Sequence, residues 1–175
     1  MASDTTGNGP TPPQAGAAPV GAAELGPQQL IVNAQYIKDL SFENPRAPAS
    51  FRQTTQPGVE INVDVKAQGM GPDTFEVVLT INASAKVQEE ALFLAELSYA
   101  GLVTVRNVPQ DMLTSVVLVE TPRLLFPFAR NIIADITRDG GYPPLLINPI
   151  DFSELLRRNS AGAAEAGVTP PTAGA

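Results

Sequence analysis

Three carboxylate pairs and two glycine-rich spots in this chain have types and spacings that invite a catalytic reading. Glu89 and Glu90 are adjacent carboxylates, Asp135 and Asp139 stand four apart, and Asp39 and Glu43 flank Ser41 and Phe42. Gly69-Met70-Gly71 and Gly140-Gly141 are glycine-rich spots of the kind that can cradle phosphate. Acid–base work by two carboxyls needs a shared environment that drives their pKa values apart. Adjacent residues on a strand point to opposite faces, so Glu89 and Glu90 do not share a proton. Asp135 and Asp139 are neighbours if that segment is helical, but acids at this spacing ordinarily line a wet helix face. Neither glycine pair sits in the strand–GxGxxG–helix or GK[ST] setting of a nucleotide loop. The chain also contains no His and no Cys. That removes the commonest general base, thiolate nucleophiles and the usual zinc ligands. A Ser-His-Asp hydrolase cannot be assembled within one chain. No enzyme activity, cofactor or metal site is expected.

Charge narrows the partners. The 175 residues carry a net charge of −7. Such a surface is repelled by nucleic-acid phosphates and by anionic lipid. The acids are unevenly spread. Between Glu60 and Glu96 there are seven acids and two bases, whereas Arg106 to Arg158 holds six of each. The acid excess falls on the strand-forming half, where it suits either a solvated sheet face or a docking face for a basic partner. No run of about 18 uninterrupted apolar residues is present to span a bilayer. The first residues lack a basic stretch followed by an apolar one, so a cytoplasmic address is expected.

The elements follow from periodicity. Residues 1–27 and 159–175 are rich in Ala, Gly, Pro and Thr and are expected to stay disordered, since they bury too little apolar area to offset their ordering entropy. The folded domain is expected over 28–158. Leu30, Val32, Ala34, Tyr36, Leu40 and Phe42 share one parity, with Lys38 the exception, and predict a first strand. Val59, Ile61, Val63, Val65 and Ala67 alternate with polar residues and predict a second. After the Gly69–Asp73 turn, Phe75, Val77, Leu79, Ile81, Ala83 and Ala85 mark a third. From Val87 to Asn107, Ala91, Phe93, Ala95, Leu97 and Tyr99 take one face and Leu92 and Leu94 the other, as in a strand covered on both sides.

Beyond Asn107 the period lengthens. Asp111 to Glu120 suits a short helix. Leu125, Phe128, Ile132 and Ile136 predict one face of a longer helix, with Pro127 near its start and Asp139-Gly140-Gly141 its stop. Tyr142 to Pro149 must be extended because of its prolines. Asp151 is a fair N-cap for a short helix over Phe152 to Arg158. Leu145, Leu146, Ile147, Phe152, Leu155 and Leu156 look surplus to one small core, which predicts either an interface or a groove, or else simple packing of the last helix on the one before it.

Several of these segments resemble a known family. Tyr36-Ile37-Lys38-Asp39-Leu40-Ser41-Phe42-Glu43 is similar to the opening strand of SecB, the bacterial protein-export chaperone. Leu125–Arg130 resembles its LFPYAR segment, and Gly141–Phe152 its GxFPxLxLxPVNF segment. Glu76–Leu79 and Glu89–Leu94 match as well. The resemblance covers about Gln29 to Arg158. It implies an α+β subunit: a four-stranded antiparallel sheet with one long and one short C-terminal helix packed on one face, assembled as a dimer of dimers. It implies an ATP-independent chaperone that holds precursor proteins unfolded and delivers them to SecA, the translocation motor. A related chaperone dedicated to a non-export client, such as a toxin–antitoxin pair, is the alternative. The SecA-binding positions carried over are Asp39, Glu43, Leu94 and Glu96. The groove for unfolded precursors would use Ile61, Val63, Leu155 and Leu156, and tetramer contacts would fall at Ala95, Leu97 and Tyr99. Neither nucleic acid nor direct membrane insertion is implied.

Overall fold

The computed structural model describes residues 26–165. Four strands form one sheet in the order β1-β4-β3-β2, where β1 is Gln29–Glu43, β2 Gly58–Gly69, β3 Thr74–Val87 and β4 Glu90–Arg106. All neighbours are antiparallel. In register, Val65, Leu79 and Tyr99 lie side by side, as do Val63, Ile81, Leu97 and Leu40. The period-two reading of β2 and β3 therefore holds, and that of β4 holds from Phe93 on, their apolar sets sharing one face. At the start of β4 a register shift adds Leu92, so Ala91 pairs with Lys86 on the outer parity while Leu92 is buried in the core. This inner face is where the helices pack: Val77, Leu79, Ile81, Leu97 and Val103 are wholly buried with Leu125, Ala129 and Ile133 of the long helix.

The first strand departs from its expected parity. Register shifts between Val32 and Ala34 and between Ile37 and Asp39 each add one residue to β1. Each bulge flips the strand, so the two cancel. Between them, Gln35 and Ile37 are opposite Gly101 and Tyr99 on the inner face, while Ala34 and Tyr36 turn outward opposite Leu102 and Ala100. Past the second bulge, Leu40 and Phe42 return inward and Asp39 and Glu43 point out.

The helical half is one rod of 30 residues from Gln110 to Asp139. It comprises α1 (Gln110–Ser115), a π turn (Val116–Glu120) and α2 (Thr121–Asp139). By length and composition this rod could cross a bilayer, but its apolar face is spent on the sheet. The π turn has a local cause. Pro122 cannot donate to the carbonyl four residues back and would clash with it, and a wider turn relieves both problems. The Thr121 N–H instead reaches the Val116 carbonyl, which also accepts the Thr121 hydroxyl at 3.2 Å. Pro127 lies inside α2 rather than at its start. The buried stripe also differs from the expected one. Pro122, Leu125, Phe126, Ala129, Ile133 and Thr137 face the sheet, whereas Phe128 is 52% exposed. A helix apolar on more than one side offers two stripes, and spacing alone does not say which one the sheet takes.

α2 ends as expected at its glycines. The Tyr142 N–H returns to the Thr137 carbonyl and the Gly141 N–H to that of Arg138, with Gly141 at φ +90°, a Schellman closure that only glycine adopts without strain. The extended linker is then tied back, because the Leu145 N–H donates to Thr137 Oγ1 at 2.9 Å. The final helix, α3 (Phe152–Glu165), runs past the expected end at Arg158, since the Ala-rich stretch after Ser160 propagates helix well. The remaining tail expectations, for 1–25 and 166–175, lie outside the described residues.

α3 packs on the π turn and against α2. Phe152 is 1% exposed and meets the Phe126 ring edge-on at 5.9 Å. Ile147, Phe152 and Leu155 are thus core, not surplus, and of that apolar group Leu146 is the fully open member at 68% exposure. Replacing Phe152 with Ala should cost about 3–5 kcal/mol through a cavity that the two helices cannot close. Urea titration at fixed protein concentration should read this as a lowered midpoint. A loss below about 1 kcal/mol would mean that α3 is outside the cooperative core.

Candidate functional site

Two surfaces have the properties that the sequence led us to seek, and they lie on opposite faces of the sheet. The outer face carries no helix. There Glu43 is directly opposite Leu94, Ser41 opposite Glu96, and Asp39 opposite Ser98. Asp39, Glu43, Leu94 and Glu96 therefore form one patch across β1 and β4, as strand alternation requires once β1 has passed its second bulge. Asp39, Glu43 and Glu96 are exposed and have no ion-pair partner among the described residues. A shallow hollow of about 190 Å³ beside them is lined by Glu60, Asn82, Leu94 and Glu96. The patch is thus flat and acidic, without ion pairs of its own among the described residues, and has one apolar side chain, Leu94, at the end opposite Glu43.

The same face is pinned further along by a polar cluster. Lys38 Nζ donates to both Glu76 oxygens, at 2.8 and 2.9 Å, and the Tyr36 hydroxyl donates to Glu76 Oε1. The Lys38 ammonium, and then the Tyr36 hydroxyl, hold the Glu76 carboxyl below its usual range. The bond to Glu76 raises the Tyr36 phenol in turn. Each tie crosses from β1 over β4 to β3.

The inner face supplies the apolar surface. β2 is an edge strand, and Val59 and Ile61 of its inner set remain 46% and 38% exposed. Ile61 and Val63 form one wall of a cleft of about 410 Å³ whose other wall is Ile147, Pro149, Ile150, Leu155 and Arg158. A second cleft of about 290 Å³ runs from Val59 and Phe93 to Tyr142, Pro143, Pro144 and Leu145. Both have β2 on one side and the 142–150 linker on the other, in the same order along each. Val59 to Val63 spans about 13 Å, the reach of four extended residues. Ile61, Val63 and Leu155 are thus brought together as the sequence suggested. Leu156 is half-buried against the core and is not on the cleft wall.

The linker is held for this purpose at both ends. The Asp151 carboxylate accepts the Ser153 and Glu154 N–H groups at 2.9 and 3.1 Å, capping α3, and these bonds, that from Glu154 foremost, lower its pKa. At the other end the Tyr142 hydroxyl donates to Asn44 Oδ1 at 2.7 Å and lies 3.0 Å from Ser50 Oγ and the Leu92 carbonyl. The Tyr142 ring stacks at a tilt on Phe93 at 5.1 Å and on Phe51 at 5.6 Å. Neither this node nor Arg158 is among the expected site residues. Their only sequence signal is the aromatic after Gly140-Gly141 and a base one turn beyond Leu155.

Ala95, Leu97 and Tyr99 are placed differently from the other site residues. They are 1%, 0% and 8% exposed, under α2, with the Tyr99 hydroxyl on Gln35 Oε1 at 3.3 Å. They offer no open surface in the single chain. Three of the paired acids have structural partners: Arg138 bridges Asp135 and Asp139, and Glu90 pairs with Arg46. No cluster of potential metal ligands occurs among the described residues.

The family model described as "Preprotein translocase subunit SecB" matches residues 23–163. A protein from Afipia carboxidovorans named protein-export protein SecB is 51% identical over 145 residues, 82% of this chain and 90% of its own length. Another of that name, from Paramagnetospirillum magneticum, is 54% identical over 135 residues, 76% of this chain and 86% of its own. A solved structure of the SecB-like chaperone of Mycobacterium tuberculosis, in complex with a ChAD peptide from an antitoxin, superposes with a TM-score of 0.55 at 17% identity. It covers 69% of this chain and 90% of that one, a likeness of fold.

The Glu76 cluster makes stability depend on acid. Its carboxylate is favoured in the fold, so its contribution is complete above the unfolded carboxyl's pKa of about 4.3 and fades as pH falls through the lower folded value. The stability gap between the natural chain and Glu76→Gln should therefore be open at pH 7 and close below about pH 4. Thermal midpoints across that range measure it; a gap that does not change with pH would remove the charge from the explanation.

Proposed function

This chain belongs to the SecB family, and from that premise we propose how its two faces divide the work of a protein-export chaperone. The apolar groove between β2 and the 142–150 linker holds extended segments of unfolded precursors. The acidic patch on the outer face docks the SecA motor, to which those precursors are delivered. The observation that carries this reading is the groove itself: Val59 and Ile61 stay open, with Val63 half-buried beside them, along a linker fixed at both ends. A groove of this kind binds by apolar contact and so tolerates many sequences. Holding needs no ATP, because a ligand of the unfolded state shifts the folding equilibrium by mass action alone.

The patch supports the second half of the proposal. Asp39, Glu43 and Glu96 run along one face with Leu94 at its end and lack ion-pair partners among the described residues, so a basic segment is attracted at long range and seats against that apolar side chain. Because the groove and the patch lie on opposite faces, a precursor and the motor bind together without competing. The working unit is a homotetramer, a dimer of dimers. Its contacts come from apolar side chains that the single chain leaves open, Ile37 at 47%, Leu124 at 47% and Phe128 at 52%. Ala95, Leu97 and Tyr99 act on assembly through the core that shapes this face rather than by touching a second copy. Several grooves on one assembly then hold one long precursor by avidity. The working location is the cytoplasm. The alternative of a dedicated antitoxin client rests on one neighbour at 17% identity, whereas relatives near 50% identity carry the export name.

Charge reversal separates the two faces. Asp39→Lys should weaken binding to SecA by tenfold or more at low salt, on the order of a strong interface charge. The same variant should still slow the refolding of a slow-folding precursor in the absence of nucleotide. Natural protein that fails to slow refolding at stoichiometric excess would end the holdase reading. Undiminished SecA binding by the variant would end the docking assignment alone.

A further inference from the structure

The apolar cleft beside α3 has one charged group on its wall, Arg158. Four arginines of the fold, Arg46 among them, have acidic partners, whereas Arg52, Arg106, Arg130 and Arg158 have none among the described residues. Arg157 is gripped by Glu154 at 2.6 and 2.8 Å, Arg123 by Glu120 at 2.6 Å, and Arg138 by Asp135 at 2.9 Å. Arg158 has neither an ion-pair nor a hydrogen-bond partner among the described residues, and it is exposed. It follows Leu155 by three positions, so the two project from one face of α3 about 5–6 Å apart. Arg158 therefore lines the cleft together with Ile61, Val63 and Leu155 and the uncharged polar Asn62 and Asn148, in a protein whose net charge is strongly negative.

We infer that Arg158 gives this cleft a charge preference: among extended apolar segments it selects those with a carboxylate side chain two residues from the anchoring apolar one. Two residues of extended chain advance about 6.6 Å and return the side chain to the same side, which matches the separation of Leu155 and Arg158. The guanidinium is a planar donor suited to a carboxylate, and at a partly open site the pair contributes a modest, salt-sensitive increment. This inference rests on the cleft being the place where unfolded segments bind, and it adds what the cleft discriminates.

The test uses the full chain and three labelled peptides that share one apolar anchor. They carry Glu, Gln or Lys two residues away from it. Fluorescence anisotropy should show the Glu peptide binding about threefold to fivefold tighter than the Gln peptide at low salt. That ratio should fall to one at 0.5 M salt, where screening is nearly complete. It should also fall to one in Arg158→Gln, with the Gln peptide bound as before. Arg158→Glu should favour the Lys peptide. A Glu-to-Gln ratio that is the same in the natural chain and in Arg158→Gln overturns the inference and leaves the groove standing. Equal weakening of all three peptides by Arg158→Gln also overturns it, because the arginine would then be structural. Failure of every peptide to bind the natural chain overturns the groove reading and this inference with it.

Discussion

A single helix is narrower than a four-stranded sheet, and the rest of this structure depends on that mismatch. A helix with its side chains is about 10–12 Å across, while strands repeat every 4.8 Å or so. α2 lies over the central strands β4 and β3, where the inner residues are fully buried. The same face of the two edge strands is left over. In β1 this strands Ile37 and Leu40, and in β2 it strands Val59 and Ile61. The chain does not correct the shortfall with polar residues. It keeps apolar side chains where water remains, which a monomer of fixed function would have reason to avoid.

What covers part of the shortfall is the return of the chain. The linker from Tyr142 to Ile150 comes back alongside β2 and stops short of closing on it. Its ends are fixed by specific polar contacts: Tyr142 to Asn44 and Leu92, Leu145 to Thr137, and the Asp151 cap on α3. A wall that is held at its ends, yet apolar along its length, keeps a groove open without filling it. The outer face follows the opposite rule. It carries no helix, its residues are mostly polar or charged, and the acids at Asp39, Glu43 and Glu96 have no ion-pair partner among the described residues. One sheet thus presents an apolar side with an open groove and an opposite side that carries unpaired acids.

Much of this was legible in the sequence, and the failures have physical causes. β2, β3 and the body of β4 announced themselves because a clean two-residue period survives wherever strands run without bulges, and the extra residue Leu92 breaks that period only at the start of β4. β1 misled because its two bulges reverse the parity between Asn33 and Asp39 and then restore it. Pro127 looked like a helix start, but a proline on the exposed side of a packed helix is tolerated, and the true accommodation was the π turn before Pro122. Phe128 looked like core because apolar spacing does not distinguish a face that meets the sheet from one left open. The acidic patch was found by family resemblance, since no local pattern brings residues 39 and 96 together. The Tyr142 node joins segments up to 98 residues apart and leaves no trace in spacing.

The account stands on apolar burial as the source of client affinity. Its most direct measurement is the heat-capacity change on binding a permanently unfolded precursor, obtained by titration calorimetry at several temperatures. Burial of apolar surface in the groove predicts a large negative change that persists when salt is raised. A heat-capacity change near zero, with affinity that collapses in salt, would show that clients are held by charge and would contradict the account.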